Sequence, residues 1–267
     1  SVFLGYQAGY NDDLTSNHNT FIGYRSGKTT TSGNNNTAVG FGSLNQNSVG
    51  NGNTAVGENS LSSNTYGEYN SAFGTQALNT NTSGDWNVAV GSNSLNSNTS
   101  GGNNVAVGTL GLYMNQTGSY STSIGNEALY SNTTGSSKSA NGYRALYNNT
   151  IGSANTAVGN NALYNSVAGS GATALGYMAM YYANNSSTAF DNNNVAIGKQ
   201  ALMGSITPAN NTGNNNTAIG TKTLSLNSSG SDNVAIGFNS LNNNVSGSYN
   251  TAIGDSALFY SVAGSKA

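Results

Sequence analysis

Asn36-Thr37-Ala38-Val39-Gly40, followed by Leu44, decides the reading of this chain. The same string returns as Asn53-Thr54-Ala55-Val56-Gly57 with Leu61, as Asn87-Val88-Ala89-Val90-Gly91 with Leu95, and as Asn216-Thr217-Ala218-Ile219-Gly220 with Leu224. Its glycine falls at 5, 23, 40, 57, 74, 91, 108, 125, 142, 159, 176, 198, 220, 237 and 254. Eleven of these steps are 17 residues long, one is 18, and two adjacent ones are 22. A step this constant marks one structural coil per repeat. A second glycine usually follows ten residues after the first, as at Gly50, Gly67 and Gly84.

The coil reads as β. The Thr-Ala-Val segments alternate over a few residues and stop at a glycine, as a strand bounded by a turn does. Two glycines per repeat would break a helix at every turn. Seventeen residues accommodate two short strands and two turns, and stacked coils pair their strands in parallel, about 4.8 Å apart. The expected fold is therefore all-β, a parallel β-solenoid of about fifteen coils over residues 1–267, with loop insertions in two coils between 181 and 215.

Alternation assigns faces. The residue before each glycine (Val39, Val56, Phe73, Val90) shares a face with the Thr or Val two places earlier and is expected to form the core with Leu44, Leu61, Leu78 and Leu95. The Ala between them is expected to face a close neighbour. One Leu, one Val and one Ala per coil make a thin core, so association of chains is expected. Asn36, Asn53, Asn70, Asn87 and Asn104, four before Gly40, Gly57, Gly74, Gly91 and Gly108, are expected to form an amide ladder along the stack. The coil at Gly142 breaks the rule, with Asn141 for the apolar residue and Lys138 for the ladder Asn; a weak, wet coil is expected there.

Composition narrows the function. Charged residues are 6% of the 267, and the net charge is −2, which disfavours attraction to nucleic acid or anionic membranes. No cysteine is present, and no apolar run is long enough to span a membrane as a helix. His18 is the only histidine, so one chain holds no histidine cluster for a metal, and no cofactor is expected. Both ends, Ser1–Gly5 and Ala263-Gly264, fall inside the repeat, which suggests a piece of a longer protein.

Asn233-Val234-Ala235-Ile236-Gly237 and Asn194-Val195-Ala196-Ile197-Gly198 resemble the head repeats of trimeric autotransporter adhesins. Asn216-Thr217-Ala218-Ile219-Gly220 is similar to the repeats of phage tail-fibre proteins. The resemblance covers the whole chain and implies a left-handed β-roll, a homotrimer and exposure on a cell or virion. The adhesin repeat is shorter, nearer 14 residues, so the extra residues here must enlarge a turn or strand.

Several side chains are candidates for recognition. Tyr113, Tyr130, Tyr147, Tyr164 and Tyr181 recur at the coil spacing and are expected to form an outward stripe, either packed on itself or open to a sugar ring. The insertions lie within 181–193 and 203–215, the second carrying the only proline, Pro208. Loops of this kind present binding surfaces or act as spacers. Glu127 and Arg144 share a phase, as do Glu68 and Asp85; the latter pair is the best enzymatic candidate, on the carboxylate spacing of glycosidases. Nothing else near it resembles a catalytic constellation, and no enzyme is expected. The expected function is a structural fibre segment, extracellular, most of all from a phage tail fibre, meeting a cell-surface glycan or protein receptor. The alternatives are a bacterial surface adhesin, an ice-binding solenoid and a polysaccharide-cleaving fibre.

Overall fold

A computed structural model describes residues 1–13 and 17–260, so Ala263 and Gly264 lie outside the described residues. The chain is an all-β parallel solenoid in two compact units, residues 1–134 and 135–267. Among the described residues there is no α-helix, and no helix is long and apolar enough to cross a membrane.

The first unit carries eight three-residue strands: β1 (Val2–Leu4), β2 (Thr20–Ile22), β3 (Thr37–Val39), β4 (Thr54–Val56), β5 (Ser71–Phe73), β6 (Val88–Val90), β7 (Val105–Val107) and β8 (Thr122–Ile124). Each pairs in parallel with the next, with like positions opposite: Ala72 faces Ala89, and Ala89 faces Ala106. The second unit repeats this with β9 (Ser139–Asn141), β10 (Thr156–Val158), β12 (Thr173–Leu175), β14 (Val195–Ile197), β15 (Thr217–Ile219), β16 (Val234–Ile236) and β17 (Thr251–Ile253). Two short strands, β11 (Gly169–Ser170) and β13 (Phe190–Asp191), pair separately, the second of them near the end of the first insertion.

Each regular coil holds one strand, where two were expected. The remaining residues turn, yet they still stack: Leu61 N–H donates to the Ala77 carbonyl at 2.9 Å, and Thr82 N–H to that of Thr99 at 2.9 Å. The corners use left-handed backbone at fixed places, including Asn93 (φ 56°) and Leu95 (φ 50°) in one coil. A leucine tolerates that conformation, which costs about 1–2 kcal/mol, because its side chain is wholly buried.

The expected orientation of the strand is reversed. Ala38, Ala55, Ala72, Ala89 and Ala106 point inward and are fully buried, while the Thr and Val on either side point out and are half-buried or exposed. Beside a leucine the interior leaves room only for a small strand residue, whereas in the coil of β2, where Gly27 takes the leucine's place, Phe21 fills that room. Asn141 accordingly stands exposed on the outer strand face, and the coil at Gly142 has no polar strand residue inside.

Leucine and alanine share the interior with amides. Asn53 Oδ1 accepts the Asn70 N–H at 3.0 Å, Asn70 Oδ1 that of Asn87 at 3.0 Å, and Asn87 Oδ1 that of Asn104 at 3.1 Å. A second amide row runs eleven residues on: Asn81 Nδ2 donates to Asn64 Oδ1 at 2.8 Å and Asn98 Nδ2 to Asn81 Oδ1 at 2.7 Å. The rows meet at the second glycine, where the Gly84 carbonyl accepts from both Asn70 and Asn81. Buried amides satisfied this completely stabilise the stack, whereas an unmatched one would cost about 1–3 kcal/mol.

Leu95→Ala should lower the stability of the first unit by about 2–5 kcal/mol, because its coil buries no second large apolar group and Leu78 and Leu112 are held in their own coils. Denaturant titration would measure it; a loss below about 1 kcal/mol would mean that leucine is not the main apolar support of its coil.

Candidate functional site

The outward strand face carries two parallel rows. In the first unit one row is Thr37, Thr54, Ser71, Val88, Val105 and Thr122, and the other is Val39, Val56, Phe73, Val90, Val107 and Ile124. The second row is apolar throughout and open: Phe73 is 42% and Ile124 42% exposed. In the second unit the same row begins with Asn141 and continues through Val158, Leu175, Ile197, Ile219 and Ile236. Strands three residues long fix these side chains at every coil, so in the first unit the row is a rigid apolar surface that none of the described residues covers completely.

The tyrosines stand outside the coils, half-buried. Tyr113 and Tyr130 stack within the first unit with centroids 5.2 Å apart. In the second unit Tyr147 stacks on Tyr164 at 5.2 Å and Tyr164 on Tyr181 at 5.1 Å, with interplanar angles of 3° and 14°. The rings present their faces to one another, so edges and hydroxyls are what a ligand would meet. The Arg144 guanidinium lies 5.2 Å above the Tyr147 ring, adding a cation–π contact. Partial burial raises the Tyr181 phenol above its ordinary value, with Tyr164 and Tyr182 adding to the rise and Arg144 opposing it.

Two further aromatic stacks are as regular. Tyr6, Tyr24 and Phe41 stack with centroids 5.5 and 5.1 Å apart, with Arg25 5.0 Å above Tyr24. Tyr69 stacks on Trp86 at 4.3 Å, and Trp86, the only tryptophan, is 57% exposed. Both sets stand one coil apart in the sequence, but they mix aromatic types and are shorter than the tyrosine series, so the repeat of a single residue does not reveal them.

Glu68 and Asp85 belong to a hydrogen-bonded row. Asn51 Nδ2 donates to Glu68 Oε1 at 2.6 Å, and the Glu68 N–H donates to Asp85 Oδ1 at 2.7 Å. One oxygen of each carboxylate is thus engaged in stacking coils, the role that Asn51 plays toward the Asn34 N–H. His18 is exposed, and no group of metal-ligating side chains occurs among the described residues. Glu127 lies in the first unit and Arg144 in the second.

The second insertion folds around Asn211, whose Oδ1 accepts the Ser205 N–H at 2.8 Å while Nδ2 donates to the carbonyls of Tyr182 and Ser205. Pro208 opens a single 3-10 turn, Pro208–Asn210. Beside it, Met203, Ile206, Leu226 and Val245 line an open groove of about 430 Å³. Compared with known proteins, the chain matches no family model and no curated relative.

Lys138 is the other departure from the repeat. It stands in the row of ladder asparagines, is 1% exposed, and its amine donates to Asn149 Oδ1 at 2.9 Å. Burial pushes that amine down from 10.5 to about 7.

Proposed function

We propose that the chain is a structural segment of an extracellular fibre, a shaft or adhesin piece of the phage tail-fibre type, which self-associates through its outward apolar strand row. The observation that carries this reading is the unbroken row Val39, Val56, Phe73, Val90, Val107 and Ile124, held open on a rigid sheet. A monomer does not keep so regular an apolar strip in water without cost. Three copies is the number implied by the resemblance to trimeric adhesin repeats. The work done is mechanical: stacked hydrogen-bonded coils give stiffness, coil number sets reach, and surface features repeat by symmetry so that weak contacts add. The aromatic stacks and the groove near Pro208 are the surfaces offered to a glycan or protein receptor. Glu68 and Asp85 support a non-enzymatic reading, since each spends an oxygen on the coil-to-coil hydrogen bonds.

Replacing Val56, Val90 and Val107 together with Asp tests this. These side chains point away from the interior, so the coils should still form while the oligomer falls to monomer in sedimentation or light scattering. A chain that is monomeric before the substitution would sink the proposal. The Thr row gives an ice-binding reading its one support, but Val88 and Val105 interrupt it; absence of thermal hysteresis would dispose of that reading.

A further inference from the structure

Among the described residues, Lys138 and Asn149 are the one place where a buried primary amine meets a buried amide. Both side chains are buried, at 1% and 0% exposure. Elsewhere the second amide row points Nδ2 at the glycine carbonyl three residues on, as Asn81 does to Gly84 at 2.9 Å. Asn149 differs: its Nδ2 donates to the Ser166 carbonyl at 3.2 Å, and its Oδ1 faces the lysine amine at 2.9 Å. Glycines make room for the pair. A Cβ on Gly135 would stand 2.6 Å from Lys138 Nζ, and one on Gly152 would stand 2.7 Å from Asn149 Nδ2.

We propose that Lys138 and Asn149 join in an intramolecular isopeptide bond. Nζ of the neutral amine attacks Cγ of Asn149, and the bond from Cγ to Nδ2 breaks. Ammonia leaves, made of Nδ2, its two hydrogens and one hydrogen from the amine. A second amine hydrogen remains on the new secondary amide, and nothing is oxidised or reduced.

Three features favour the step. Burial that brings the amine to about 7 leaves most of it neutral, and so nucleophilic, at pH 8. The two groups are held together by the fold, which replaces an encounter in solution with a fixed contact. Burial to 1% and 0% exposure also limits the access of bulk water, which would hydrolyse the amide instead. The product is also better suited to its surroundings, because a neutral amide replaces an amine that is costly to bury when charged. The groups that touch the pair include amides, a backbone carbonyl and glycines, which are weak general acids. The bond therefore closes slowly in the finished coil, well after folding.

The test is intact mass followed by peptide mapping of the whole chain held at pH 8. A growing fraction of molecules should become lighter by one ammonia. Chymotrypsin cuts after Tyr143 and Tyr147, which lie between the two residues, so linked molecules should release their peptides joined. Separate peptides of unshifted mass throughout the incubation would overturn the proposal. So would ammonia loss confined to Asn51 or Asn141, each followed by glycine, where a succinimide forms without the lysine. Lys138→Asn restores the ladder residue and should abolish the link; a joined product in that variant would equally overturn it.

Discussion

Gly91→Ala should destabilise the first unit by about 3 kcal/mol or more, through two independent costs. Gly91 has φ +128°, a backbone conformation that L side chains rarely adopt. A methyl group there would also stand 2.7 Å from the Gly108 carbonyl carbon and 3.1 Å from the Thr109 nitrogen. Those atoms are backbone of the next coil, held by the Gly108 N–H bond to the Val90 carbonyl at 2.8 Å, and cannot swing aside as a side chain would. The disturbance should spread to the neighbouring coils, because each coil's hydrogen bonds run to the next. Denaturant titration with limited proteolysis would show it as a lower midpoint and new cleavage near residues 91–108. Asn93→Gly, two residues away at φ 56°, is the control and should change stability by less than about 1 kcal/mol, since glycine accepts that conformation freely. Equal losses from both variants would mean that contact with the next coil is not what the glycine protects.

Lys138→Asn should stabilise the second unit, by an amount that depends on pH. The amine titrates near 7 in the folded chain and at 10.5 when exposed. Between those values the unfolded chain binds a proton that the folded chain refuses, so stability rises with pH across that window. Above 10.5 both forms are neutral and the lysine carries no penalty; below about 7 both are protonated and the penalty is constant. At neutral pH the penalty is of the order of 4 kcal/mol, and the asparagine removes it while returning an acceptor to the ladder. Unfolding free energies from pH 6 to 10.5 on freshly prepared, unlinked chains would measure this. The wild type should slope upward with pH relative to the variant; parallel curves would show that Lys138 is not buried as an amine. Chains in which Lys138 has joined Asn149 should lose the slope, because a secondary amide does not titrate.

Much of the molecule is legible in its amino acids. The recurrence of Gly40, Gly57, Gly74, Gly91 and Gly108 at a constant step predicts the coils, and the parallel register that sets Ala72 opposite Ala89 and Ala89 opposite Ala106 follows directly. Asn53, Asn70, Asn87 and Asn104 likewise sit one above another, as identical residues at one phase of a stack must. The tyrosine spacing predicts which rings are neighbours, though not that they turn their faces to each other.

The sequence by itself determined the period, the β character and the stacking of like upon like, because a constant step leaves equivalent residues no other way to meet. Only the tertiary structure decided which side of each strand faces in. Over three residues, alternation separates Ala89 from Val88 and Val90 but does not say which is inside; the volume left beside Leu95 and the two amide rows does, and it admits only the methyl. The same closure of the coil carries Lys138 across the interior to Asn149, a meeting of residues at different phases that no repeat pattern encodes.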